Sequence, residues 1–383
     1  MIALFWVGVV WIAYVYVGYP LILWLLGLVR KVEPAIRADH RPSVSVLIAA
    51  WNEERDIAWK LAETLGWDYP ADRLEVLVAS DGSEDRTDEI VRGMTDARLT
   101  FVRMEPRGGK SAALNRLAQL ARGEILFFTD ANSHIESGAL RRIARHFADP
   151  RVGCVTGEMH YRDERAESAV SEGTRVYWGY ESLIKQLESR IGSVLVCVGS
   201  VFAIRAALFE PLHPEVANDL ELPLRIGRTG RWLRYEPTVR SVERPAHTGR
   251  EEFSRQRRIV AQGALAIWRL RAQLTPLRAW QFLSRKVLRW LTAVPLVLLL
   301  VSTAALAPRS PFGLLLVPQV AFWALALVGY ILARAGLRPG RLFSLPFYVV
   351  LVALAGVMGV IDACAGRRFR VWETAALSRG SVN

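Results

Sequence analysis

The chain has 383 residues, 52% of them hydrophobic, and carries 49 Lys and Arg against 37 Asp and Glu for a formal charge of +12. So basic a chain invites nucleic acid as a partner, but no RNA- or DNA-binding motif is present. Its basic residues gather beside long apolar runs, as the flanks of membrane spans do against an anionic leaflet. The three cysteines, Cys154, Cys197 and Cys364, are widely spaced and form no zinc or redox pattern, which suits a reducing compartment.

Residues 2–29, "IALFWVGVVWIAYVYVGYPLILWLLGLV", carry no charge over a length that exceeds the ~20 residues needed to cross a bilayer. With no basic start and no small-residue cleavage pattern before Arg30, the run predicts a transmembrane helix instead of a signal peptide. Globular sequence follows. "VSVLIAA" (44–50) is a buried parallel strand in character and ends at the turn "WNEE". A helix from Glu53 to Leu65 then places Ile57, Leu61 and Leu65 on one side. The strand "LEVLVAS" (74–80) breaks at "DGSEDRTDEI", a polar cluster able to cap a helix running to Met94. Next come "LTFVRM" (99–104), the loop "EPRGG", a helix from Lys110 to Ala121 and the strand "EILFFT" leading to Asp130. This alternation predicts an α/β fold with a mainly parallel sheet and ligands at the carboxyl ends of the strands.

Those strand ends carry Asn52, Glu53 and Glu54, then Asp81, then Asp130 and Asn132. Each Asp alone is better explained as a helix cap. Together, with Lys110 in a glycine-led loop, they point to a nucleotide site. A carboxylate with an oxygen ligand two residues away suits Mg²⁺ or Mn²⁺, cations that keep waters and bridge phosphates. "RGGKSAALN" lacks the spacing of a P-loop and no G-x-G-x-x-G follows the first strand, which disfavours ATPase and dehydrogenase functions.

Beyond the globular part, residues 251–270 form an amphipathic helix, with Phe253, Val260, Ala264 and Ile267 on one side and Arg255, Arg258, Gln262 and Arg269 on another. Three more apolar runs, 287–306, 312–333 and 343–365, reach spanning length, with Pro295, Pro318 and Pro346 inside them. The chain therefore divides into a first span (1–30), a globular domain (43–250), amphipathic interfacial helices (251–285), three carboxyl-terminal spans (286–366) and a basic tail (367–383). Arg30, Lys31, Arg37 and Arg41 before the domain, and Arg278, Arg285, Lys286 and Arg289 after it, place it in the cytoplasm. Four spans would then put Arg367, Arg368 and Arg370 outside, against the same rule. Either one run is re-entrant or the tail violates it.

The ordered set "VSVLIAAWNEE", "VLVASDGSEDRT", "GGKSAALN", "GEILFFTDAN", "NDLELPLRI" and "RQRRI" resembles the membrane-integrated family-two glycosyltransferases, the superfamily of cellulose, chitin, hyaluronan and poly-N-acetylglucosamine synthases. The resemblance covers the whole globular domain and the arrangement of one span before it and several after. It implies a GT-A fold (Rossmann-like), a UDP-sugar donor, Mg²⁺ or Mn²⁺ and inversion at the sugar carbon. It also implies roles. Trp51 and Glu53 would touch the nucleotide, Asp81 would hold the uridine, and Lys110 would lie beside the base or phosphate. Asp130 and Asn132 stand at the D-x-D signature, where Asn132 departs from the second Asp and offers a neutral, weaker ligand. Asp219 matches the catalytic base; an inverting transfer needs one carboxylate to take the acceptor's proton. Arg255, Gln256 and Arg258 align with the Gln-(Gln/Arg)-x-Arg-Trp motif, with Arg258 a charge partner of the diphosphate. Ile259 replaces the Trp, which disfavours a long-chain polymerase. Tyr177, Trp178 and Tyr180 would stack on acceptor sugars or simply pack against the sheet. The expected protein is a multi-pass plasma-membrane transferase serving a glycan or lipid acceptor for exopolysaccharide or glycolipid synthesis, with export partners possible and nucleic acid excluded. The alternative is a non-catalytic nucleotide- or glycan-binding component of a secretion complex.

Overall fold

The structure, a computed structural model, describes residues 1–161, 171–243 and 248–369. The first helix, α1 (Ile2–Val29), is continuous and loosens into a π-turn over Tyr14–Gly18. At 1.5 Å per residue it is about 42 Å long, more than the ~30 Å of hydrocarbon in a bilayer. Its second half packs Tyr19 and Leu23 onto Ile184, Leu187 and Ile191, with the Trp280 ring 5.1 Å from that of Tyr19.

The α/β domain is built on one eight-stranded sheet in the order β3-β2-β1-β4-β7-β6-β8-β5. Its parallel half is the predicted one: β1 (Val44–Ala50), β2 (Leu74–Ser80), β3 (Leu99–Arg103) and β4 (Ile125–Asp130). Helices α2 (Ile57–Leu65), α3 (Thr87–Gly93) and α4 (Lys110–Leu120) make the crossovers. All seven residues of β1 are buried, which is why that strand reads as one continuous apolar run. In register, Ala50 lies opposite Ser80 and Ala49 opposite Asp130, so the turns at Asn52, Asp81 and Asp130 emerge side by side.

The second half of the sheet is mixed. It comprises β5 (His134–Ile135), β6 (Val152–Tyr161), β7 (Phe202–Arg205) and β8 (Trp232–Glu243), where β7 runs antiparallel to β4 and β5 antiparallel to β8. Helices α5 (Ala139–Ala144), α6 (Ser171–Arg190) and α7 (Asn218–Arg228) complete the domain. The predicted amphipathic helix is α8 (Gly249–Leu270), its first turn capped by the Thr248 hydroxyl, which accepts from the Glu251 N–H.

The apolar tail departs from three simple spans. α9 (Pro276–Trp290) and α10 (Ala293–Leu306) meet at 58°, so the run predicted over 287–306 is broken at Leu291–Thr292. α11 (Phe312–Arg334) and α12 (Arg341–Cys364) are each long and apolar enough to span. α8 is not a helix with one free face, because α12 lies along it. The Tyr348 hydroxyl reaches Glu252 at 3.3 Å and the Asp362 carboxylate pairs with Arg257. Arg368, beyond the end of α12, lies 3.5 Å from Glu215. Arg370 and the rest of the basic tail fall outside the described residues.

Small residues permit that close approach. A Cβ on Gly359 would stand 2.6 Å from the Arg257 carbonyl and 2.7 Å from the Val260 Cβ. Gly359→Leu is therefore expected to pry α12 from α8 and cost about 1–3 kcal/mol, read as a lower Tm in detergent. Gly179→Leu, in open space on α6, is the matched control and should not lower Tm.

Candidate active site

The site begins where two loops are laced together. The Asn52 N–H donates to the Ser83 hydroxyl (3.1 Å), the Glu53 N–H to the Thr87 hydroxyl (2.7 Å) and the Glu54 N–H to Asp85 (3.1 Å), while the Asn52 side chain accepts from the Glu84 N–H (2.8 Å). Asn52 adopts a positive φ of 54°, which Asn tolerates better than most residues. The "WNEE" turn is thus held by the polar run after β2, whose side chains accept from the backbone N–H groups of Asn52, Glu53 and Glu54.

Asp81 is fully buried and caps no helix. Its two oxygens accept from the N–H groups of Gly108 (2.7 Å) and Gly109 (2.9 Å), and Arg107 lies 3.5 Å away. Gly109 has φ of 85°, so a residue without Cβ lets the loop turn its N–H groups onto the carboxylate. The Arg107 guanidinium stacks 3.4 Å from the ring centre of Trp51. Trp51, Asp81 and Arg107 therefore form one wall.

Lys110 opens α4 directly after that loop and forms an ion pair with Asp130 at the end of β4. Burial works against its charge, but Asp130, with Asp219 and Glu243 further off, outweighs burial and holds its pKa above the usual lysine value. Asn132, two residues on, is exposed. Beneath this turn lies a residue the sequence did not single out. Lys60 is completely buried, donates to the Ser133 carbonyl at 2.7 Å, and is pushed down by burial to a pKa of about 8.

Asp219 lies in the first turn of α7, whose cap position is Ala217, so capping does not account for it. Its carbonyl accepts from the Cys197 N–H at 2.9 Å, and a Cβ on Gly199 would sit 3.4 Å from Oδ2, so the Gly199-Ser200 loop packs directly on the acid. Burial raises the Asp219 pKa against the opposing pull of Lys110 and Lys286. Lys286, from α9, is a second cation that sequence reasoning had used only for orientation. Below the same loop the thiols of Cys154 and Cys197 stand 3.4 Å apart, a reduced pair whose 43-residue separation had made the cysteines look isolated.

The remaining expected groups are less central. Arg255 pairs with Glu252 at 3.0 Å, and the Gln256 amide donates to the same Glu252 at 2.8 Å, so both side chains bond to a carboxylate of their own helix. Arg255 nonetheless stays within electrostatic reach of Glu243. Arg258 is half-buried one turn further along α8. The aromatic trio serves packing: the Tyr180 hydroxyl donates to the Val15 carbonyl at 3.0 Å, Arg289 lies over Tyr177 and Tyr180, and Lys185 lies over Trp178. Glu243, at the end of β8, was not anticipated. Burial and the neighbouring Asp130 push its pKa up.

Residues 45–212 match the family described as glycosyl transferase family 2. The chain is 30% identical over 223 residues to the probable glycosyltransferase YdaM of Bacillus subtilis, covering 54% of this chain and 52% of that protein. It is 32% identical over 183 residues to the beta-monoglucosyldiacylglycerol synthase of Synechocystis, covering 45% of this chain and 37% of that one. The chain thus spans about half or less of the length of these relatives. Among solved structures, the mannosyltransferase PcManGT of Pyrobaculum calidifontis, in complex with GDP-Man and Mn²⁺, superposes with a TM-score of 0.69 at 23% identity, covering 92% of this chain and 99% of that one. That likeness is one of fold, and the fold is GT-A.

Proposed function

We propose, on the premise that residues 45–212 form a glycosyl transferase family 2 domain on a GT-A sheet, that the protein is an inverting glycosyltransferase at the cytoplasmic face of a membrane. It would move a hexose or N-acetylhexosamine from a UDP-sugar to a lipid or glycan acceptor. One observation carries this reading: Lys110, which opens α4 and is ion-paired with Asp130 at the end of β4, also lies within electrostatic reach of Asp219 in the first turn of α7, so carboxylates from distant parts of the chain gather at one cation.

The donor's base would lie against the wall of Trp51, Arg107 and Asp81. A carboxylate has about four acceptor positions, so Asp81 can take a base N–H and still hold its loop. Lys110 would meet the diphosphate. Asp219 takes the proton from the acceptor hydroxyl as that oxygen attacks the sugar carbon from the face opposite the diphosphate, and a single displacement inverts the centre. Mg²⁺ or Mn²⁺ would sit at Asp130 with Asn132. Among the described residues no three His, Cys, Asp or Glu stand together, but a cation that keeps waters and bridges phosphates needs only one or two carboxylates, so the residues fit. When bound, the cation neutralises charge on the leaving diphosphate.

The membrane helices support a lipid acceptor and a small anchor. α10 runs back along the first half of α1, from Tyr16 beside Thr292 to Phe5 beside Phe312. α12 touches the α8 side of the catalytic domain at both ends, through Tyr348 and through Asp362 and Arg368. On this reading α1, the bent α9–α10 pair and α11 cross, and α12 lies along the interface. Three crossings return Arg367 and Arg368 to the cytoplasmic side and remove the conflict over the tail. So few crossings suit transfer to a lipid better than a polymer channel. The name of the Synechocystis relative, a glucosyldiacylglycerol synthase, points the same way.

The test is a donor panel of UDP-sugars and GDP-mannose supplied to membranes with Mn²⁺ and a lipid extract. A UDP-sugar should label an organic-soluble product in wild type, and Asp130→Ala should remove most of that label. Turnover with GDP-mannose alone would overturn the UDP assignment, and a water-soluble polymer would overturn the lipid acceptor.

A further inference from the structure

Resting on that reading of the site, we infer that Glu243 supplies the second carboxylate of the cation site, the charge that Asn132 fails to provide. The argument starts from strand register. His134 pairs with Val242 and Ile135 with Ser241 in the antiparallel β5–β8 ladder, so the end of β8 is carried to the turn that follows Asp130. Glu243 ends that strand one residue past the Val242–His134 pair, where continuation of the ladder brings it to the Asp130–Ser133 turn, and Asp130 is within electrostatic reach of it, although more than a hundred residues away in sequence.

Its surroundings do not explain it structurally. Glu243 Oε1 is shielded from solvent and finds no hydrogen-bond partner among the described residues, while Ser200 is the hydroxyl within reach of the carboxylate. The cations nearby are committed: Lys60 to the Ser133 carbonyl, Lys110 to Asp130, and Arg255 to Glu252. A buried carboxylate oxygen with no donor is costly, and it faces a second carboxylate. Two acidic groups brought together at one polar turn are the arrangement a hard divalent cation stabilises. The same sheet edge therefore gives a reason for a neutral residue at position 132: with Asp130 and Glu243 in place, a third carboxylate would add repulsion that a 2+ charge shared with a diphosphate does not need.

The experiment measures Mn²⁺ binding to the purified full-length protein in detergent by the loss of the free-ion EPR signal, with UDP present and no sugar transfer required. Wild type, Glu243→Gln, Asn132→Asp and the Asn132→Asp/Glu243→Gln pair are compared. Glu243→Gln should weaken Mn²⁺ by about tenfold or more, and adding Asn132→Asp should recover most of the loss, because the charge count of the site is restored. The recovery also shows that the single variant was folded. Unchanged binding in Glu243→Gln overturns the assignment while leaving Asp130 as the ligand. Wild type that binds no Mn²⁺ overturns both this assignment and the metal-dependent reading of the enzyme. A weakened Glu243→Gln that Asn132→Asp does not rescue overturns the compensation between the two positions.

Discussion

Asp219→Asn is expected to slow sugar transfer by about 10²–10⁴-fold while leaving UDP binding, read by calorimetry, within error of wild type. The substitution keeps the shape of the first turn of α7 and removes only the carboxylate proposed to accept the acceptor's proton. The pH behaviour is the sharper check. Burial raises the Asp219 pKa, with Lys110 and Lys286 partly offsetting it, so the ionised form appears at higher pH than for an ordinary aspartate. Transfer should rise with pH through a midpoint shifted upward from that of an ordinary aspartate. Lys286→Met, which removes one of the offsetting charges, should move that midpoint further up.

Stability runs the other way. Because the folded state holds this proton more tightly than the unfolded chain, the stabilisation tied to Asp219 is present below the unfolded pKa of about 3.9 and is lost as pH rises through the folded value. Asp219→Asn should therefore raise Tm at pH 8 and have no such effect at pH 4. A variant that lost activity and stability together at pH 8 would mark Asp219 as a structural residue instead.

The second large effect is expected far from the chemistry. Arg285 is buried and bonded to both Glu181 and Glu188; Glu188 also accepts from the Tyr19 hydroxyl (2.7 Å) and the Leu195 N–H (3.0 Å), and Glu181 is shared with Arg289. This network joins α1, α6 and α9. Arg285→Met leaves two buried carboxylates short of a counter-charge and should cost about 3–5 kcal/mol, seen as a large drop in Tm of the detergent-solubilised protein. Adding Glu188→Gln to Arg285→Met removes one of those charges and should recover part of the loss. If both forms melted with wild type, the network would carry no stability.

Much of this was legible in the sequence where a signal is local. β1, β2 and β4 are short apolar runs that stop at polar turns, and their parallel register brings Asp81, Lys110 and Asp130 to one edge as the alternation predicts. Asp219 stood out through a short, self-contained motif, and the fold brings it within electrostatic reach of Lys110. The mixed half of the sheet was not legible, since β8 carries Pro237 and bulged pairing with β6 and does not alternate cleanly. Glu243 and Lys60 were missed for the same reason: each matters through a partner supplied by a distant segment. The cysteine pair failed as a pattern because its closeness is made by β6 and the loop before β7. α12 has the length and hydropathy of a span, but its close packing along α8, which Gly359 permits, leaves no mark on a hydropathy pattern.

The Glu181–Glu188–Arg285 network also sets an order for making the protein. Tyr19 emerges from the ribosome first, the two glutamates in the middle and Arg285 and Arg289 late, across separations of 97 to 169 residues. A nascent chain that already contains every strand of the catalytic sheet still lacks both guanidinium groups. Its donor pocket can form, but the seam between that pocket and the membrane cannot close. Completion of that seam thus waits on α9, and until it arrives Glu181 and Glu188 lack the two guanidinium groups that face them in the finished fold.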